Sequence, residues 1–148
     1  LGALYGVKTY FKQSKSWRLI KSVKKPSEPV LERLVFVNRK GHFLIADAYR
    51  GASIHIAIAD FLDVLSGARS DAVGVTWQGK DQTVAAAGAA GLVVYVGHNG
   101  LMDYPVKLWI KRKTFPVRKQ TGQAMVLACQ SRQYFQQRVK KLTVKVCC

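Results

Sequence analysis

The chain is poor in acids, cysteines and prolines. Eight Asp and Glu stand against 24 Lys and Arg in 148 residues, a net charge of +16. Such an excess favours phosphate polyanions or anionic membrane surfaces as partners. The competing explanations are a fragment that has lost its acidic complement and a lysine-rich proteome. The three cysteines are Cys129 and the neighbours Cys147 and Cys148. Adjacent cysteines are badly placed to bridge one another, and no CxxC or Cys/His zinc spacing occurs, so a disulfide framework and a zinc site are both disfavoured. A reducing, cytoplasmic setting without a cofactor is the expectation. No apolar run approaches the roughly 18 residues of a membrane span. The longest candidate, Val84 to Val96, is rich in small residues and runs into Gly-His-Asn-Gly. No leader, internal repeat or RNA-binding signature with interleaved aromatics is visible.

What is present is a core. Hydrophobic residues make up 49% of the chain, too many for disorder, and 16.5 kDa suits one α/β domain over residues 1–148. Leu1, Leu4, Val7, Tyr10 and Phe11 recur at helical spacing and predict a helix over 1–12. Ser14 to Pro29 reads as a basic surface connection. Val30 to Val37 reads as strand, with or without a helical turn before it, and Asn38-Arg39-Lys40-Gly41 as a turn. His42 to Ala48 (HFLIADA) has the look of a strand buried on both faces.

Ser53 then caps a helix striped by Ile54, Ile58, Phe61, Leu62 and Leu65, and Gly67 stops it. With Leu92 to Val96 as the next strand, this predicts a parallel βαβ unit. Ala124 to Ala128 is a third strand, followed by a helix from Ser131 with Tyr134, Phe135, Val139 and Leu142. Tyr104 to Gln120 suggests an exposed insertion with a hairpin around Lys107 to Lys113. Val144-Lys145-Val146 reads as strand.

Ligands of open parallel sheets bind outside the carboxyl ends of the strands. Three such ends carry reactive types: Asp47-Ala48-Tyr49-Arg50-Gly51, Gly97-His98-Asn99-Gly100 and Cys129-Gln130-Ser131. If the strands are parallel, all three share one rim. A histidine there can move a proton near neutral pH, and a cysteine just ahead of a helix start favours the thiolate. Backbone amides at Gly100 and Cys129 are oxyanion donors in this arrangement. Either residue alone is more often structural. Asp47 and Arg50 are expected to pair and fix the turn, with capture of a substrate carboxylate by Arg50 as the alternative. Asp103 is a turn acid or an orienting partner for His98. His42 and His55 read as surface residues.

The blocks LVVYVGHNG (92–100) and AMVLACQS (124–131) resemble the caspase–hemoglobinase group of cysteine peptidases, in which one strand ends in a histidine motif and another in Ala-Cys. The chain also resembles a bacterial group sharing blocks like LYGVKTYF, ADAYRG, VGHNGLMD and LACQS. The resemblance implies a three-layer caspase-like sandwich with a mainly parallel sheet, incomplete because its first core strand is absent. It implies Cys129 as nucleophile, His98 as proton donor to the leaving group, and oxyanion stabilisation at Asn99, Gly100 and Cys129. The substrate would be a peptide or protein, with Asp47, Arg50 and Asp103 as candidate contacts. The usual glycine after the histidine is Asn99 here, and Gly100 follows it. The alternatives are an inactive interaction module of the same fold and a basic nucleic-acid-binding domain.

Overall fold

The computed structural model describes residues 6–103, 122–140, 142 and 145–147; the 104–120 insertion expected from the sequence lies outside them. The described chain divides into two compact units, residues 1–53 with 73–84 and residues 54–72 with 85–148. The mainly parallel caspase-like sheet expected from the sequence is not found. Among the described residues three separate sheets occur instead, two antiparallel and one parallel.

The first unit is an antiparallel meander of β1 (Trp17–Ser27), β2 (Val30–Asn38) and β3 (Phe43–Tyr49), preceded by helix α1 (Val7–Gln13). Tight turns join consecutive strands, which forces antiparallel pairing, since a parallel pair needs a long crossover. The Asn38 turn is a strong one. Asn38 Oδ1 accepts from the backbone N–H of Lys40 and of His42, both at 2.9 Å, and Gly41 supplies the positive φ of 81°. A Cβ on Gly41 would also press on the Trp77 ring at 3.2 Å.

The basic segment expected as a surface connection is the eleven-residue strand β1. It is an edge strand, and Lys and Arg on its outer positions disguise its alternation while discouraging further pairing. HFLIADA, expected to be buried on both faces, is also an edge strand, and every residue of β3 is only partly buried. β2, between them, supplies the buried row Val30, Leu34, Val35, Phe36 and Val37. Phe11 of α1 meets Phe36 at a tilt and Trp17 edge-on, with centroids 5.6 and 5.7 Å away, so the helix covers one face. On the other face the Phe43 ring meets Trp77 edge-on at 5.9 Å.

Helix α2 (Ile54–Ser66) follows a single 3-10 turn (Gly51–Ser53). It buries Ile58, Phe61, Leu62 and Leu65 on the expected stripe, and Gly67 ends it at φ 76°. The next strand is not the partner of β3 in a βαβ unit. Residues 70–87 form a two-stranded hairpin, β4 (Ser70–Trp77) and β5 (Lys80–Ala87).

The parallel sheet belongs to the second unit. Its strands are β6 (Leu92–Val96), β7 (Gln123–Leu127) and β8 (Lys145–Cys147), in that order. Helix α3 (Gly100–Asp103) follows β6, and α4 (Ser131–Lys140) connects β7 to β8. Alternation sets the inner face: Tyr95 on β6, Ala124 and Val126 on β7. These pack with Phe61 of α2 and Phe135 and Val139 of α4 in one cluster. Phe61, Tyr95 and Phe135 form a triangle of rings with centroids 5.7 to 6.3 Å apart, near the offset and edge geometries that aromatic pairs prefer.

Candidate functional site

β6 and β7 pair in register, Leu92 with Gln123 through Val96 with Leu127. His98 stands two residues beyond Val96, and Cys129 two beyond Leu127. Their equal offsets from a paired rung put both at the carboxyl edge of the same parallel pair, as expected. The ladder continues one step further, with the Gly97 N–H donating to the Leu127 carbonyl at 3.2 Å.

Asn99 ties the two loops together. Its side chain is wholly buried; Nδ2 donates to the Cys129 carbonyl at 2.7 Å, and Oδ1 accepts from the Leu101 N–H at 3.1 Å. The second bond opens α3, so one side chain fixes both the turn after His98 and the backbone that carries the thiol. In the sequence alone, Asn99 is only a departure from a glycine. Its position between His98 and Gly100 gives a weak clue, because a buried Asn in a turn usually bonds backbone groups.

Gly100 is demanded by packing. A Cβ there would lie 3.2 Å from both Ile54 Cγ2 and Ile58 Cδ1 of α2. Its N–H donates to the His98 carbonyl at 3.1 Å, so it is already committed and does not fit the oxyanion role expected of it. The backbone N–H groups of Asn99 and Cys129 have no partner among the described residues.

The His98 ring is exposed, its Nε2 2.5 Å from Asp103 Oδ2, with the two side chains 58% and 49% accessible. A carboxylate on Nε2 selects the tautomer with the proton there, leaving Nδ1 as the acceptor. The His98 backbone is pinned from below. The Tyr95 hydroxyl donates to its carbonyl at 2.7 Å, and burial pushes the Tyr95 phenol up to about 12, so it stays a donor. Cys129 is a free, exposed thiol. The turn that carries it includes Gln130 at φ 49°, a left-handed conformation costly for a non-glycine residue, and closes through the Ser131 N–H on the Ala128 carbonyl.

The third strand end belongs to a different sheet. Asp47 and Arg50 belong to the antiparallel unit. Asp47 pairs with Arg33 through two charge-assisted bonds of 2.7 and 2.8 Å, rather than with Arg50. Arg50 lies 3.7 Å from Glu28 in an exposed pair. Both therefore have structural partners in the sheet. His42 is exposed, as expected, with its Nδ1 3.1 Å from Asn38 Nδ2; His55 is half-buried. No cluster of metal-ligating side chains occurs among the described residues, and no helix is long and apolar enough to cross a membrane.

No family model, curated protein or solved structure matches the chain.

Proposed function

We propose that the β6–β7 edge carries out thiol-dependent hydrolysis of a peptide or related acyl bond. Cys129 is the nucleophile, His98 the proton carrier and Asp103 the group that orients His98. The observation that supports it best is the Asn99 bridge, which couples the histidine loop to the cysteine backbone across two strands in register.

The Cys129 sulfur, its proton passed to His98 Nδ1, adds to the substrate carbonyl carbon. Asp103 on Nε2 stabilises the imidazolium so formed. His98 returns the proton to the departing amine as the C–N bond breaks and a thioester remains. Water, activated by the same ring, hydrolyses the thioester and restores the thiol. The unpartnered amides of Asn99 and Cys129 are the donors available to the oxyanion.

Alkylation by iodoacetamide with mass-spectrometric readout tests the reading. Cys129 should react at least about tenfold faster than the thiol of an unfolded peptide of its own sequence at pH 7, because the thiolate is the reactive form. His98→Ala should remove that advantage, and Asp103→Asn should reduce it. A Cys129 rate equal to the peptide's, or one indifferent to His98→Ala, overturns the reading.

A further inference from the structure

The meander is electrically lopsided. Three of its acids cluster at the end of the sheet where β2 begins, and each has a basic partner. Glu32 is held by Lys8 at 2.8 Å and Lys24 at 2.9 Å, Asp47 by Arg33, and Glu28 faces Arg50. A fourth acid of this unit, Asp81, accepts from the Thr76 hydroxyl at 2.6 Å.

The opposite end has no such compensation. Trp17 pairs with Asn38 and Arg18 with Val37, so the start of β1 lies beside the end of β2. That register gathers Lys15 and Arg18 with Arg39 and Lys40. Helix α1 runs from Lys8 at Glu32 to Phe11 over Phe36 and Trp17, which brings Lys12 to the same end. All five side chains are exposed, and none has an acidic partner among the described residues. The Asn38 turn, with its two side-chain bonds to Lys40 and His42, presents Arg39 and Lys40 on rigid backbone. Tyr10, 69% exposed on α1, adds an aromatic ring at the flank of the cluster, on the side of the helix away from Lys12.

We infer that Lys12, Lys15, Arg18, Arg39 and Lys40 form a binding surface for the phosphodiester backbone of single-stranded nucleic acid, with Tyr10 available to stack a base. A positive surface with an exposed aromatic ring is what sequence-tolerant single-strand binding uses. An anionic membrane would be served by the charge alone, but insertion calls for a broad apolar face, and Tyr10 is the one large apolar side chain of α1 that is mainly exposed. The surface is independent of the thiol chemistry proposed for the parallel sheet.

Fluorescence anisotropy of a labelled 20-nucleotide DNA strand over a salt series tests the inference on the full chain. The triple variant Lys15→Glu, Arg39→Glu, Lys40→Glu should bind at least about tenfold more weakly. It should also flatten the slope of log K against log salt by about two, at roughly 0.7 for each phosphate that is no longer neutralised. The charge-matched variant Lys25→Glu, Arg132→Glu, Lys140→Glu alters exposed residues outside the cluster and should weaken binding by no more than about threefold, through the general field. Equal losses in the two variants overturn the surface. So does binding to phosphatidylserine vesicles in the absence of any binding to the oligonucleotide.

Discussion

The two units bury different things. The antiparallel unit places a charged group inside its sheet: Glu32 sits on the face of β2 that α1 covers, bonded to Lys8, Lys24 and Ser22. The parallel unit fills its core with rings, and a wholly buried polar side chain at its edge, Asn99, is neutral and doubly bonded. The difference follows from topology. A short meander has two edge strands and an accessible rim where lysines can reach a carboxylate. A parallel sheet joined by helices keeps its polar groups for the strand ends, where loops gather. The strand ends proposed above for thiol chemistry therefore belong to the less charged of these two sheets.

Cutting the ring triangle should have the largest effect. Phe135→Ala removes a fully buried ring in contact with Phe61 and Tyr95, and should cost about 3–5 kcal/mol in denaturant unfolding. A loss under about 1 kcal/mol would mean that this core is far less tightly packed than its geometry.

Asn99→Ala should come next. It leaves the Cys129 carbonyl and the Leu101 N–H without their partner, for a loss of about 2–3 kcal/mol and a Cys129 alkylation rate close to that of the unfolded peptide. Asn99→Asp preserves size and the acceptor but cannot donate when ionised, so it should repair little of the damage. Full rescue by Asp would show that the bond to Cys129 is dispensable.

The ion-paired unit should show the smallest effect, and a pH-dependent one. Hydrogen bonds from Lys24 and Lys8 hold the Glu32 carboxyl down at about 2, against an ordinary 4.5. A depressed acid stabilises the fold fully above its unfolded value and loses that contribution as pH falls from about 4.5 toward 2. Because both lysines are substantially exposed, the contribution should be about 1–2 kcal/mol. Denaturant titrations at pH 7 and pH 2.5 should show this loss in the native chain and a smaller one in Glu32→Gln. An unchanged pH dependence in the variant would assign the acid sensitivity to other carboxylates.

The same contrast explains what was legible in the sequence. Helices α2 and α4 were readable because their apolar residues recur at helical spacing, and strands β6 and β7 because each is a short apolar run. Strand β1 was not, since register shifts at Leu19/Lys21 and Lys24/Ser27 break its alternation, Arg18, Lys21, Lys24 and Lys25 interrupt its apolar residues, and its inward residues are only partly buried. The apolar run in β3 gave the element but not its neighbours. Periodicity is a property of one strand, whereas parallel or antiparallel pairing depends on the connections. The error in sheet type, and with it the misplaced Asp47 and Arg50, came from that gap. At the site, the shared edge of His98 and Cys129 was visible from strand ends alone. The Asn99 bridge was not, because a bond across 30 positions leaves no local pattern.

That bridge also bears on how the protein ages. Asn-Gly is the dipeptide in which the following backbone nitrogen most readily attacks the side-chain amide, closing a succinimide that opens to aspartate or isoaspartate. Here the Gly100 nitrogen is turned toward the His98 carbonyl, and the Asn99 amide is held at both ends. Ring closure therefore waits for the loop to open. Each opening exposes Asn99 to a change that refolding does not reverse, and the product is an acid where the Cys129 carbonyl needs a donor. The rate of this one lesion is thus set by how rarely the turn comes apart.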